Sequence, residues 1–201
     1  MAIDAPRLRR RAAIRDAATT LFVRSGLRGT TMTAVADAAG VSHGTVFLYF
    51  ESKDALFRAA VLEPMAEIER ALSVTMDPSR SAMEQLRVTL PEHIALIARR
   101  EHYLRLLLYV QGQRDRFPRL SRSLDELAAR AAATVAALVA HGQRLGELAP
   151  GEPRLVAHSY FAHLQGFAVT VRKTPRDPIW GPLADHALRL FSPVEARRRR
   201  R

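Results

Sequence analysis

Apolar positions recur along the chain at three- and four-residue spacing, and strict apolar–polar alternation bounded by turn residues is nowhere sustained. That pattern predicts an all-α protein. A first helix is predicted over about 6–25, with Ile14, Ala17, Ala18, Leu21 and Phe22 on its apolar face and Gly26 placed for a left-handed C-terminal cap. Thr31 caps a short second helix carrying Met32, Val35, Ala36 and Ala39, and Gly40-Val41-Ser42 turns the chain into a third at about 43–49. Ser52 begins a long fourth helix with Leu56, Phe57, Ala60, Val61, Met65, Ile68 and Leu72 inward, ended by Asp77-Pro78. Further breaks mark helices at about 80–99, 102–114, 118–145, 153–173 and 178–192, about nine in all. Pro91 is expected to kink or split the first of these.

Two short helices joined at Gly40 and packed by the first have the layout of a helix-turn-helix. Such a unit needs a small residue at the crossing (Ala36), a backbone position costly to other residues (Gly40) and apolar plugs (Val41, Phe50). The second helix of the pair, roughly 10 Å long, fits a major groove about 12 Å wide. An ordinary helical hairpin with an alanine-rich contact has the same hinge, so the hinge alone leaves both readings open.

The order of residues separates them. The run T-x-x-x-V-A-x-A-A-G-V-S-x-G-T-V-F-x-Y-F-x-S-K-D-A-L, residues 31–56, resembles the N-terminal DNA-binding domain of the TetR family of bacterial transcriptional regulators. The family pattern matches at Val35, Ala36, Ala39, Gly40, Val41, Ser42, Gly44, Thr45, Tyr49, Phe50, Ser52, Lys53 and Leu56, and upstream at Ala18, Leu21, Phe22, Gly26 and Thr31. The resemblance covers about the first 60 residues; the remainder is similar in helix count and spacing only. It implies a helix-turn-helix domain at 1–55, a helical regulatory and dimerisation domain at 56–195, and an arginine tail at 196–201. Resemblance and geometry together make Thr31, Thr33, Tyr49 and Lys53 phosphate-side candidates, and put Ser42, His43, Gly44, Thr45 and Phe47 on the helix facing base edges. Two positions depart from the family: Phe47 stands where tyrosine is usual and His43 where lysine is frequent, so one hydroxyl and one cation are missing.

Charge changes the picture by its placement. The chain of 201 residues has a formal net charge of +11. Residues 1–60 carry nine Lys/Arg against five Asp/Glu, residues 61–196 carry seventeen against fifteen, and Arg197 to Arg201 add five more cations. Basic ends on a near-neutral body suit a polyanion, nucleic acid first and an anionic membrane second. With no cysteine there is no disulfide framework or thiolate metal site. No apolar run approaches a membrane span and the N-terminus lacks a signal-peptide core, so a cytoplasmic protein is expected.

A single short reader makes too few contacts for tight binding, so a symmetric homodimer on a palindromic double-stranded DNA operator is expected. Leu155, Tyr160, His163 and Phe167, with Trp180, Leu183, Ala187 and Phe191, line two helix faces suited to a four-helix dimer bundle; closure of the chain's own core would use the same stripes. By the resemblance, residues 80–145 sense an apolar or amphipathic small-molecule effector. Met65, Met83, Leu86, His93, His102, Tyr103, Tyr109 and Gln111 are the candidate lining. The seven histidines show no metal spacing, and neither a phosphate loop nor a nucleophile elbow is present, so no enzyme, cofactor or metal is expected. The leading expectation is a sequence-specific regulator, a repressor released by its effector. The alternative is a helical interaction protein whose basic ends bind an anionic partner or membrane surface.

Overall fold

A computed structural model describes residues 4–171 and 173–192; the arginine tail lies outside the described residues. The described residues form α1 (Asp4–Gly29), α2 (Met32–Ala39), α3 (His43–Tyr49), α4 (Lys53–Leu62), α5 (Met65–Leu72), α6 (Ala82–Arg99), α7 (Glu101–Gln111), α8 (Pro118–Arg144), α9 (Pro153–Thr170) and α10 (Trp180–Leu188). The tenth helix arises at Pro64, which has no N–H for the Ala60 carbonyl. The chain turns at Glu63-Pro64, so the long fourth helix becomes α4 and α5. Pro91 does not split α6. Arg87 and Pro91 are both exposed, so the carbonyl deprived of its donor lies on the solvent side. Gly26 takes a positive φ of 67° with ψ at 175°, a conformation essentially confined to glycine but not that of the expected left-handed cap, and α1 resumes for another turn.

Two compact units form. One comprises the described residues up to Ala66 together with His102–Leu124, the other Glu67–Glu101 with the described residues from Asp125 on. In the first, Ile14, Ala18 and Phe22 of α1 meet Val35, Ala36, Val46, Phe50, Leu56, Phe57, Ala60 and Val61, and Leu106 and Val110 of α7 complete the core. Phe22 and Phe57 meet edge-on at 5.0 Å between centroids. Burying each ring contributes roughly 1.5–3 kcal/mol. Tyr103 donates to the Val61 carbonyl at 2.7 Å, and the Tyr109 hydroxyl accepts from the Leu27 N–H at 3.5 Å beside Gly26.

The second unit is built on α6, against which α9 and α10 pack. Gln85 braces the preceding loop, donating to the Asp77 carbonyl and accepting from its N–H, both at 2.8 Å. Deeper in α6, His93 Nδ1 lies 2.9 Å from the Tyr160 hydroxyl of α9. Phe161 stacks on the His93 ring and Phe191 meets Tyr160 edge-on. Burial pushes His93 down to about 4 and raises Tyr160 above the ordinary phenol value, so both are neutral.

Gly142 marks the tightest contact of this unit: a Cβ there would lie 2.5 Å from Leu148 Cγ and 2.7 Å from Ala82 Cβ. Ala82 is buried and Leu148 nearly so, so neither yields freely. Gly142→Ala is expected to cost about 1–3 kcal/mol, read as a lowered thermal unfolding midpoint; an unchanged midpoint contradicts the packing described. His93 makes stability pH-dependent. Its folded pKa of about 4 lies below the ordinary 6.5, so the unfolded chain takes up a proton that the folded chain refuses. The stability this group confers is complete above the ordinary value and is lost as pH falls toward the folded one, by on the order of 3 kcal/mol. In denaturant titrations from about pH 7 to 4.5, a His93→Phe/Tyr160→Phe double variant is expected to lose less stability than the parent chain; equal losses refute the assignment.

Candidate nucleic-acid interface

The reading element is built from local rules. Thr31 at the start of α2 accepts from the Ala34 N–H through its side chain. At the end of α2, Gly40 is left-handed (φ 65°, ψ 36°), and its N–H bonds the Asp37 carbonyl at 3.2 Å while the Val41 N–H bonds that of Ala36 at 3.0 Å. This pair of reversed bonds closes the helix and sets the exit direction of the chain. A Cβ on Gly40 would meet nothing within 4 Å, so glycine is required there for its backbone, not for space. Ser42 then caps α3, accepting from the Thr45 N–H at 3.1 Å.

Within α3, Val46 is fully buried and Phe50, just after it, is 3% exposed, while His43, Gly44, Phe47 and Leu48 are exposed. These four share one helix face. The Ser42 and Thr45 hydroxyls lie 2.7 Å apart. Whichever donates, the pair keeps one hydroxyl hydrogen for an outside acceptor such as a base edge. His43 and Phe47 touch edge-on at 5.0 Å, so the imidazole is braced by the ring one turn later. Phe47 remains 44% exposed and can meet a thymine methyl. Gly44 is exposed, and a Cβ there would meet nothing within 4 Å. Glycine within a helix costs roughly 0.5–1 kcal/mol relative to alanine, and no described residue lies close enough to exclude a side chain here.

The phosphate-side candidates divide. Thr31 and Thr33 are exposed at the start of α2. The Lys53 ammonium donates to the Thr30 carbonyl at 2.8 Å and the Arg28 carbonyl at 3.4 Å, which ties α4 to the end of α1 and leaves one hydrogen to offer. Tyr49 is partly buried, and its carbonyl accepts from Arg11 at 2.7 Å. The Arg11 guanidinium also lies 4.2 Å from the centre of the Phe50 ring and pairs with Glu63 at 2.5 Å. Arg15 pairs with Asp16 and Glu63. Arg7, Arg9 and Arg10 remain exposed around the first turns of α1.

The other sequence candidates scatter. Of the effector-lining set, Met65, His102, Tyr103, Tyr109 and Gln111 belong to the first unit and Met83, Leu86 and His93 to the second. His102 is exposed; Leu86 and His93 are buried. Of the dimer set, Leu155 is 64% exposed and His163 is exposed, whereas Tyr160, Trp180, Ala187 and Phe191 are buried within their own chain. Core closure therefore accounts for those four, with Trp180 Nε1 donating to the Thr174 carbonyl at 2.8 Å. Phe167 and Leu183 are intermediate. The residue that sequence reasoning missed is Leu48, 78% exposed on the reading helix. Its register was legible: it stands two positions from both Val46 and Phe50, on the opposite side of the helix.

A groove-sized, uncharged helix held outward on a glycine hinge defines a helix-turn-helix reader of double-stranded DNA. Residues 14–60 match the family model described as bacterial regulatory proteins, tetR family. The uncharacterized HTH-type transcriptional regulator YhgD of Bacillus subtilis (strain 168) is 26% identical over 161 residues, covering 78% of each chain. Among solved structures, a TetR-like transcriptional regulator from Rhodococcus sp. RHA1 is 25% identical with a TM-score of 0.70, covering 90% of this chain and 92% of that one. The structure of AibR in complex with isovaleryl coenzyme A and operator DNA has a TM-score of 0.65 at 17% identity, covering 89% and 96%. The chain belongs to the TetR family of bacterial regulatory proteins, and it is a DNA-binding transcriptional regulator.

Gly44→Ala is expected to move stability and binding in opposite directions. The variant should unfold later, by about 0.5–1 kcal/mol, and yet bind its DNA more weakly because the added methyl holds the helix off the groove. Paired thermal unfolding and fluorescence-anisotropy titrations check this; a variant that is stabilised and binds as well as the parent removes Gly44 from the contact surface.

Proposed function

We propose that this regulator is a homodimeric repressor that holds a palindromic operator and releases it when a small molecule binds. The observation that carries the reading is the outward face of α3, with its hydroxyl pair at Ser42 and Thr45 beside Gly44, where no described residue lies close enough to exclude a side chain. Under this proposal residues 1–55 read DNA, residues 56–195 regulate and dimerise, and the protein works in the bacterial cytoplasm as a regulator rather than a catalyst. Two copies related by a two-fold axis set their reading helices about 34–36 Å apart, one turn of DNA.

The second copy is proposed to dock on the exposed side of α9, where Leu155, Ser159, Ala162, His163, Gly166 and Val169 stand at helical spacing. Gly166 supports this. It lies inside the helix, a Cβ there would meet nothing within 4 Å, and its absence of a side chain lets another backbone approach. The effector is proposed to be apolar or amphipathic, as is the isovaleryl coenzyme A held by AibR, which is similar in fold. His93, whose Nε2 is buried with no hydrogen-bond partner among the described residues, is the proposed polar anchor in the second unit. Release requires that the effector prefer one spacing of the two readers over another, since a ligand indifferent to spacing shifts nothing.

The test is binding to inverted repeats taken from the DNA upstream of the protein's own gene, against scrambled duplexes at matched salt. The expected result is tighter binding to one repeat by a factor on the order of 10³ or more, two chains per duplex, and weakening by a carbonyl-bearing apolar compound in a ligand screen. Affinity equal to that for scrambled DNA at every repeat overturns the repressor reading.

A further inference from the structure

A hollow of about 280 Å³ opens at the junction of the first turns of α1 and the last turn of α3, lined by Arg7, Leu8, Arg11, Leu48 and Tyr49. Two of its walls are exposed leucines, Leu8 at 62% and Leu48 at 78%. Its other sides carry two guanidinium groups and a tyrosine. Exposed apolar surface meets an exposed cation, Arg7, here, and the reading helix does not account for it.

We infer that this hollow is a seat for one sugar–phosphate unit of the operator strand that runs past α3, with Arg7 bonding the phosphate and Leu8 and Leu48 packing the deoxyribose. The inference rests on the DNA-reading assignment of α3 and extends it to a second element of the chain. The occupant follows from chemistry and continuity. A nucleotide backbone alternates an anion with an apolar ring, and the hollow alternates Arg7 with Leu8 and Leu48 in the same way. Leu48 and Tyr49 end the helix whose beginning faces the bases. A helix roughly 10 Å long laid along the groove runs beside more than one phosphate of the bordering strand. A strand engaged at His43 therefore reaches the Leu48 end within the same binding event.

The division of labour among the arginines supports the choice of Arg7. Arg11 is held by Glu63, by the Tyr49 carbonyl and by the face of Phe50, so it forms the floor of the seat and keeps its shape. Arg7 and Leu8 stand one turn earlier, exposed, and are available to a ligand. A second copy of this chain is a competitor for the two leucines, and the cations disfavour it, because two such faces bring Arg7 against Arg7.

The experiment uses the full chain and a duplex selected by it from a random-sequence pool. Three variants are compared with the parent: Arg7→Gln, Leu8→Ala and Leu48→Ala. All three positions are exposed, so folding is expected to be unaffected, which thermal unfolding checks. Arg7→Gln is expected to reduce the slope of log affinity against log salt by about 0.9 for each phosphate that the side chain no longer neutralises. The leucine variants are expected to weaken binding about five- to tenfold while keeping that slope. Phosphate ethylation of the duplex is expected to interfere at one position at the edge of each half-site with the parent chain, and no longer with Arg7→Gln. If the parent selects a consensus and the variants match it in affinity, slope and interference, the seat is refuted while the reader stands. Loss of self-association in the leucine variants with unchanged DNA affinity also refutes it, in favour of a chain–chain contact. If the parent selects no consensus, the DNA-reading assignment falls first.

Discussion

Everything about the reading surface depends on one crossing: α2 over α3, set by the left-handed Gly40 and the two reversed hydrogen bonds that follow it. At seven residues, α3 is far shorter than the roughly 12–15 at which an isolated helix becomes even marginally stable. Its existence is therefore a tertiary fact. Val46 and Phe50 pin one side into the core of the first unit, and the Ser42 cap supplies a first hydrogen bond that the short helix would otherwise lack. The reading helix holds its direction only while Phe22, Phe57 and Val61 fill the space beneath it. Core substitutions there are binding mutations at one remove.

The basic N-terminus looks uniform in composition and is divided in structure. Arg11 joins three elements at once: α1 by its own backbone, the end of α3 through the Tyr49 carbonyl and the Phe50 ring, and the end of α4 through Glu63. A cation over an aromatic face contributes about 0.5–2 kcal/mol depending on its exposure, and removing either partner loosens the seating of α3. Arg15 is likewise turned inward to Asp16 and Glu63. The charge left for DNA is therefore smaller than the count of arginines suggests; of the five arginines from Arg7 to Arg15, it falls to Arg7, Arg9 and Arg10. That concentration beside a neutral reading helix separates the two tasks of holding a phosphate and reading a base.

Much of the first unit was legible because its determinants are local. Thr31, Ser42 and Ser52 each cap the helix they precede in sequence, Gly40 takes the conformation its position demands, and α3 spans His43–Tyr49 as expected. The misses have a different character. Pro64 escapes a reading by periodicity because the apolar spacing runs through it undisturbed, yet a missing N–H interrupts a helix whatever the periodicity. Pro91 has the opposite character: it reads as a break in α6 and is none, because its loss falls on the solvent side. The apolar faces of α9 and α10 show the deeper limit. A stripe states that something must cover it and not whether the cover is the same chain or another; Tyr160 turns out to meet His93 of its own α6, and Phe191 packs on Tyr160. The pairing of His93 with Tyr160 across 67 residues leaves no trace in spacing at all.

Side-chain volume at glycine supplies the information that periodicity lacks. At Gly142 a methyl group would strike Leu148 and Ala82, so the residue is explained entirely from within. At Gly44 and Gly166 a methyl group would strike nothing, although both residues lie inside helices where glycine is unfavourable. A cost without an internal reason points to an external one, since positions that break a local rule concentrate where a protein meets something else. The two glycines sit on exposed helix surfaces, the outward face of α3 and the outward face of α9. One faces where a groove would be and the other where a second helix would be. The same physical requirement, backbone approaching without an intervening Cβ, thus supports both the proposed DNA contact at Gly44 and the proposed contact between copies at Gly166.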